Sequence, residues 1–87
     1  MEEAEKKNLI NRLHRVAGQI NGITAMVEKD APCQSTLNQV AAVNAALNSL
    51  SKELLLVHMK TCLVPQIENG DKKALEDFAD LVKRLMH

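Results

Sequence analysis

The stretch LINRLHRVAGQINGITAMV, residues 9–27, decides the fold of this chain. Its apolar side chains are separated by alternating steps of four and three residues, and they are Leu9, Leu13, Val16, Ile20, Ile23 and Val27. This spacing is a heptad seam, which is typical of a helix that packs along its length against other helices. The pattern predicts a first helix from about residue 3 to about residue 29.

A second and longer helix is predicted after the break at Asp30-Ala31-Pro32. Proline is favoured in the first turn of a helix, and the residue before it resists the α conformation. This helix should run from about residue 32 to about residue 64, where Pro65 ends or kinks it. Its apolar residues cover more than one face, so more than one partner should bury it.

The short sequence Asn69-Gly70-Asp71 predicts the turn into a third helix. Glycine commonly ends a helix, and aspartate commonly caps the start of the next. The third helix should run from about residue 72 to about residue 86. We therefore expect an all-α chain with three helices, forming one domain over residues 1–87.

Composition narrows the classes of function. The chain has 11 Lys and Arg residues and 11 Asp and Glu residues, so its net charge does not indicate nucleic-acid binding. Any surface for nucleic acid must be formed by a local cluster of positive charges. Met1 is followed by charged residues and not by an apolar leader, and no apolar stretch is expected to be long enough for a membrane span. The two cysteines then favour a reducing compartment, where thiols act as ligands or redox sensors. These features predict a cytoplasmic protein with no membrane association.

Cys33, His58 and Cys62 are the residues with the clearest chemistry. His58 and Cys62 are four residues apart and share a helix face, whereas Cys33 lies roughly 40 Å away along the same helix at about 1.5 Å per residue. If two copies of this helix packed antiparallel, Cys33 of one chain would approach His58 and Cys62 of the other, twice per dimer. Two thiolates and an imidazole select Cu(I) or Zn among common metals. Three ligands without a carboxylate suit Cu(I), because Zn normally takes a fourth ligand or water. Spacing alone also leaves open a purely structural role.

Three stretches resemble a known family: RLHRVAGQINGI at residues 12–23, LNQVAAV at residues 37–43 and HMKTCL at residues 58–63. They are similar to the copper-sensing repressor family, CsoR and its nickel- and formaldehyde-sensing relatives, from about residue 7 to about residue 85. The resemblance implies a three-helix protomer, an antiparallel four-helix-bundle dimer and a homotetramer of two dimers. It also implies a repressor that binds operator DNA when metal-free and dissociates when Cu(I) binds between protomers. The implied ligands are Cys33 from one chain with His58 and Cys62 from the other.

The same resemblance distinguishes the branches of the family. Nickel and cobalt sensors carry a histidine near the N-terminus, and the first ten residues here contain none. Persulfide sensors typically have Asn at the position of His58, and formaldehyde sensors lack the cysteine at position 62. Pro32 departs from the pattern, since copper sensors often have Tyr there. The copper-sensing branch is therefore favoured.

The resemblance also implies a DNA surface made by Arg12, Arg15 and Lys52, with Lys6 and Lys7 as additional candidates. No helix-turn-helix recognition helix is evident, so contacts should be largely with phosphates, and DNA shape should contribute specificity.

Two other functions remain open. The first is a persulfide- or thiol-responsive repressor in which Cys33 and Cys62 become linked, and the second is a cytosolic metal buffer without a DNA role. An enzyme is not expected. The chain suggests no Ser-His-Asp or Cys-His-acid arrangement, and it contains neither a phosphate-binding glycine loop nor a paired-carboxylate site.

Overall fold

The computed structural model describes residues 1–86, and these residues are helical apart from two short links and the chain ends. Helix α1 spans Glu3–Glu28, α2 spans Cys33–His58, a π-helical turn spans Met59–Leu63, α3 spans Val64–Glu68 and α4 spans Lys73–Leu85. Helix α2, the π turn and α3 follow one another without a break, so the chain has three helical segments. The predicted all-α class is confirmed. His87, the last residue of the predicted domain, lies outside the described residues.

Both links begin with the same hydrogen-bond pattern. In each, three backbone N–H groups beyond the helix end donate to carbonyls of its last turn, over 2.9–3.2 Å. The turn residue has a positive φ, which is 53° at Asp30 after α1 and 85° at Gly70 after α3. Glycine adopts this conformation freely, whereas aspartate does so at a cost. Asp71 then accepts the backbone N–H of Ala74 at 3.2 Å and caps α4, as predicted.

Contacts between Cα atoms divide the chain into two compact units, and the first comprises residues 2–50. Its core is formed by α1 and the first part of α2, with Leu9, Val16, Val43 and Leu50 buried and Ile23 and Ala46 packed against them. Only alternate positions of the predicted seam on α1 belong to this core. The other positions, Leu13, Ile20 and Val27, are 44–63 % exposed. Half of the seam is therefore open in the single chain.

The second unit comprises Met1 and residues from Ser51 onward. It contains the end of α2, the π turn, α3 and α4. Leu63 of the π turn and Ala74 of α4 are its buried residues, and α4 packs on both the π turn and α3. This unit contains His58 and Cys62, two of the three predicted metal ligands.

The π turn is a feature that the sequence did not predict. The N–H of Val64 donates to the carbonyl of Met59, five residues earlier. Pro65 follows directly, has no N–H to donate, and its ring crowds the carbonyl of Thr61, so a regular α-helix cannot continue unchanged. The Thr61 hydroxyl also donates to the carbonyl of Val57 at 2.8 Å, a bond that often accompanies a helix bend. Pro65 lies in the first turn of α3, where a missing N–H is tolerated. The helix therefore continues to residue 68, beyond its predicted end at about residue 64.

The helical run Cys33–Glu68 contains a window of 18 residues that could cross a membrane by length and composition alone. This helical run is longer and more apolar than the sequence analysis expected of any stretch. The core helix of a soluble protein can have the same length and composition. Only 11 % of the window is buried within the chain, so α2 presents apolar surface that its own chain does not cover.

Candidate metal centre

His58 and Cys62 line one cavity of about 440 Å³ in the unit that begins at Ser51. His58 is the last residue of α2, and Cys62 lies in the π turn. The Cys62 sulfur is exposed and lies 3.5 Å from the hydroxyl oxygen of Thr61. Apolar side chains of α2 and α4 make most of the remaining wall, and they are Leu54, Leu55, Val57, Leu81 and Leu85. The structure thus brings these two predicted ligands to the same cavity.

The imidazole of His58 has a second neighbour that sequence reasoning missed. Its ring stacks on Phe78 of α4, with centroids 6.0 Å apart and planes inclined by 18°. His58 also borders a second cavity of about 260 Å³, whose wall includes Asp71, Asp77 and Arg84. The feature of the sequence that could have indicated this contact is that Phe78 is the single Phe, Tyr or Trp residue of the chain.

Cys33 is the first residue of α2, at the opposite end of that helix from His58, and its thiol is exposed and free. Within residues 1–86 of one chain, no three metal-ligating side chains are grouped closely enough to hold an ion. The structure therefore brings together two of the three predicted ligands and leaves Cys33 apart. If these three residues bind one ion, they must therefore come from more than one chain.

The donor set itself fits a soft cation. It consists of two thiol sulfurs and one imidazole, and both cysteines are free and not joined in a disulfide. Sulfur donors favour Cu(I) over harder divalent ions, and a set of three without a carboxylate suits its low coordination number.

The predicted DNA residues are distributed over both units. Arg12 and Arg15 border one cavity of about 310 Å³ in the unit of residues 2–50. The Arg12 guanidinium donates to the hydroxyl of Ser49 at 2.9 Å, and Arg15 is exposed. The wall also includes Gln19, whose buried side-chain oxygen has no hydrogen-bond partner among the described residues. Lys52 is exposed and belongs to the other unit.

Comparison with known proteins identifies relatives along nearly the whole chain. The copper-sensing transcriptional repressor CsoR of Bacillus subtilis is 38 % identical over 81 residues, which cover 92 % of this chain and 80 % of that protein. The copper-sensing transcriptional repressor RicR of Mycobacterium tuberculosis is 39 % identical over 66 residues, which cover 76 % of this chain and 69 % of that protein.

Solved structures agree with the sequence relatives. The crystal structure of the copper-sensing repressor CsoR with Cu(I) from Geobacillus thermodenitrificans NG80-2 superimposes with a TM-score of 0.89 at 31 % identity, covering 100 % of this chain and 92 % of that one. The nickel-responsive transcriptional regulator InrS gives a TM-score of 0.73 at 33 % identity, covering 92 % of this chain and 91 % of that one. The family resemblance predicted from the sequence is confirmed. Because residues 5–84 also match the family model described as metal-sensitive transcriptional repressor, this chain belongs to the metal-sensitive transcriptional repressor family.

Proposed function

We propose that this chain is a Cu(I)-responsive transcriptional repressor, which binds operator DNA in its metal-free form and dissociates when Cu(I) binds between protomers. The observation that supports this function is that the three predicted ligands lie at or just beyond the two opposite ends of α2. His58 and Cys62 share a cavity at one end, and the third soft donor, Cys33, is the first residue of the helix. The relatives described as copper sensors, and the similarity to a Cu(I)-bound CsoR, support the same choice of metal.

The proposed assembly is an antiparallel dimer that pairs into a homotetramer, each chain acting as one regulatory domain. In this assembly Cys33 of one chain joins His58 and Cys62 of its partner. The apolar side chains left exposed by the single chain support an interface with other copies, and on α1 and α2 they include Leu13, Ile20, Val27, Leu37, Leu47 and Leu54. Polar side chains recur along the same part of α2, among them Asn38, Gln39, Asn44 and Asn48. Such groups are costly in lipid. A protein partner in the cytoplasm therefore suits this helix better than a membrane.

The proposed DNA surface uses Arg12, Arg15 and Lys52 to contact phosphates. The charges of the chain balance overall, so an assembly must concentrate these cations locally. Cu(I) and DNA would favour different arrangements of the helices, and a coupling of about 1–3 kcal/mol between two ligands is typical of allosteric proteins. Reciprocity requires that DNA weaken Cu(I) binding by the same factor.

The direct test titrates Cu(I) into the reduced protein while binding to its own promoter region is followed by fluorescence anisotropy. One equivalent of Cu(I) per chain should release the DNA. Cys33→Ser should bind DNA and remain bound at all Cu(I) levels, whereas Ser35→Ala, an exposed position in the same turn of α2, should behave as the wild type. Failure of the metal-free wild type to bind the promoter would leave only a metal-buffering role.

A thiol-responsive repressor is the second candidate, and the exposure of both free cysteines favours it. Cys33 and Cys62 of two chains would form a disulfide, transferring two electrons to an oxidant such as a polysulfide and releasing two protons. His58→Ala separates the two functions. It should lower the affinity for Cu(I) sharply if the metal is the inducer, yet leave polysulfide-induced release of DNA intact if the thiols are the sensor.

A further inference from the structure

The single aromatic residue of this chain, Phe78, lies against the histidine that is the proposed metal ligand. The two rings are nearly parallel at 18°, and their centroid distance of 6.0 Å lies within the range in which offset rings attract each other. We infer that Phe78 is a positioning residue for His58. It holds the plane of the imidazole in the metal-free protein and thereby raises the affinity of the site for Cu(I). This inference rests on the proposed function.

Stacking on the face of the ring is compatible with binding a metal. Both imidazole nitrogens lie at the ring edge, and their lone pairs and N–H bonds lie in the ring plane. A neighbour on the face therefore fixes the plane and leaves both nitrogens accessible. The ring of His58 borders cavities that differ in character, one containing Cys62 and the other containing Asp71, Asp77 and Arg84.

The stack can orient the ring as another contact usually does in metal-binding histidines. Such a histidine commonly donates its second N–H to a carboxylate, carbonyl or water, and this bond orients the ring. Among residues 1–86, the directional contact that the structure shows for the His58 ring is the stack on Phe78. A ring held in this way loses less freedom when it binds a metal than an unrestrained ring does.

Phe78 can hold the ring because its own helix is anchored. It is half-buried on α4, which packs on the π turn and on α3. The start of α4 is fixed by the Asp71 cap and by the buried side chain of Ala74. The position of the imidazole is therefore linked to the position of α4.

The test compares Phe78→Leu, which keeps an apolar side chain but removes the ring, with Phe78→Tyr, which keeps the ring. In the reduced, metal-free protein, the proton resonances of the His58 ring should lose their ring-current shift in Phe78→Leu and retain it in Phe78→Tyr. His58→Ala assigns these resonances. Competition against a chromogenic Cu(I) chelator should show an affinity about 2- to 10-fold weaker for Phe78→Leu, the factor that corresponds to ordering one side chain on binding. Phe78→Tyr should bind as the wild type does.

Each outcome decides the inference. Wild-type affinity in Phe78→Leu, or equal losses in the Leu and Tyr variants, would overturn it, because an effect of α4 packing alone does not require an aromatic ring. A wild-type protein that binds no Cu(I) would refute the proposed function and, with it, the role in affinity. The resonance comparison uses no metal, so it would still show separately whether Phe78 holds the ring.

Discussion

If the proposed Cu(I) site is shared between two chains, it can be rebuilt from two variants that each lack a different ligand. Cys33 and His58 are the first and last residues of the 26-residue helix α2, and at about 1.5 Å per residue a separation of roughly 38 Å follows. Bonds from a metal to sulfur or nitrogen ligands are only about 2.0–2.3 Å long in comparable sites. One chain with this helix cannot supply the whole set. In the proposed site, Cys33→Ser and Cys62→Ser would therefore remove ligands that come from different chains.

The expected recovery follows from the symmetry of the proposed dimer. When the two variants are mixed in equal amounts and exchange freely, about half of the dimers contain one chain of each. In such a dimer one site keeps Cys33 from one chain and His58 with Cys62 from the other, whereas the second site lacks both cysteines. The mixture should therefore bind about one quarter of the wild-type amount of Cu(I) at high affinity. Each variant alone should bind none at that affinity.

The assay refolds the variants together from urea under reducing conditions and measures Cu(I) capacity by chelator competition. The matched control mixes Cys33→Ser with the double variant Cys33→Ser/Cys62→Ser, because no pairing of these chains contains a complete site. A mixture of the single variants that binds no more Cu(I) than its components would refute the shared site. Wild-type affinity in Cys33→Ser alone would refute it as well.

The remaining predictions concern the helix links and the DNA surface. Asp30→Gly should raise the free energy of unfolding by about 0.5–1 kcal/mol, because φ is 53° at Asp30 and glycine adopts such values without strain. Gly70→Ala should lower it by about 1 kcal/mol, because φ is 85° there. Urea unfolding at one protein concentration measures both changes, and a stability change of the opposite sign in either variant would contradict the argument from strain. Arg15→Ala and Lys52→Ala should each weaken DNA binding uniformly across sequences and reduce the slope of log affinity against log salt by about 1. Anisotropy at several salt concentrations measures the slope, and an unchanged slope would exclude that residue from the phosphate-binding surface.

Local chemistry was enough to predict most of the fold. The heptad spacing of α1, the proline before α2 and the glycine and aspartate before α4 each act within a few residues, so their effects can be predicted from the sequence. The π turn at Met59–Leu63 could not be predicted in the same way. Pro65 allows either a helix end or a bend, and the outcome depends on which carbonyl accepts each N–H and on the packing of α4 against this segment.

Only the local part of the candidate site could be predicted from the sequence. The spacing of His58 and Cys62 is local, and the structure brings both residues to one cavity. The stack of Phe78 on His58 joins positions 20 residues apart on different helices, and no periodicity of either helix predicts it. Whether Cys33 meets the other two predicted ligands would depend on a second chain. It therefore stays a prediction.

The exposed apolar surface and the separation of the predicted ligands both support the proposed second copy of this chain. On α1 the buried and exposed positions of the seam alternate, as expected when one half packs within the chain and the other half packs against a second copy. Each side chain of Leu or Ile size that a second copy covers contributes about 1.5–3 kcal/mol relative to full exposure, and less where it is already half-buried. In the proposed assembly, association of the chains would therefore not depend on the metal. The binding energy of Cu(I) would then be available to favour one of two arrangements of that assembly, which is the condition under which a metal can control the release of DNA.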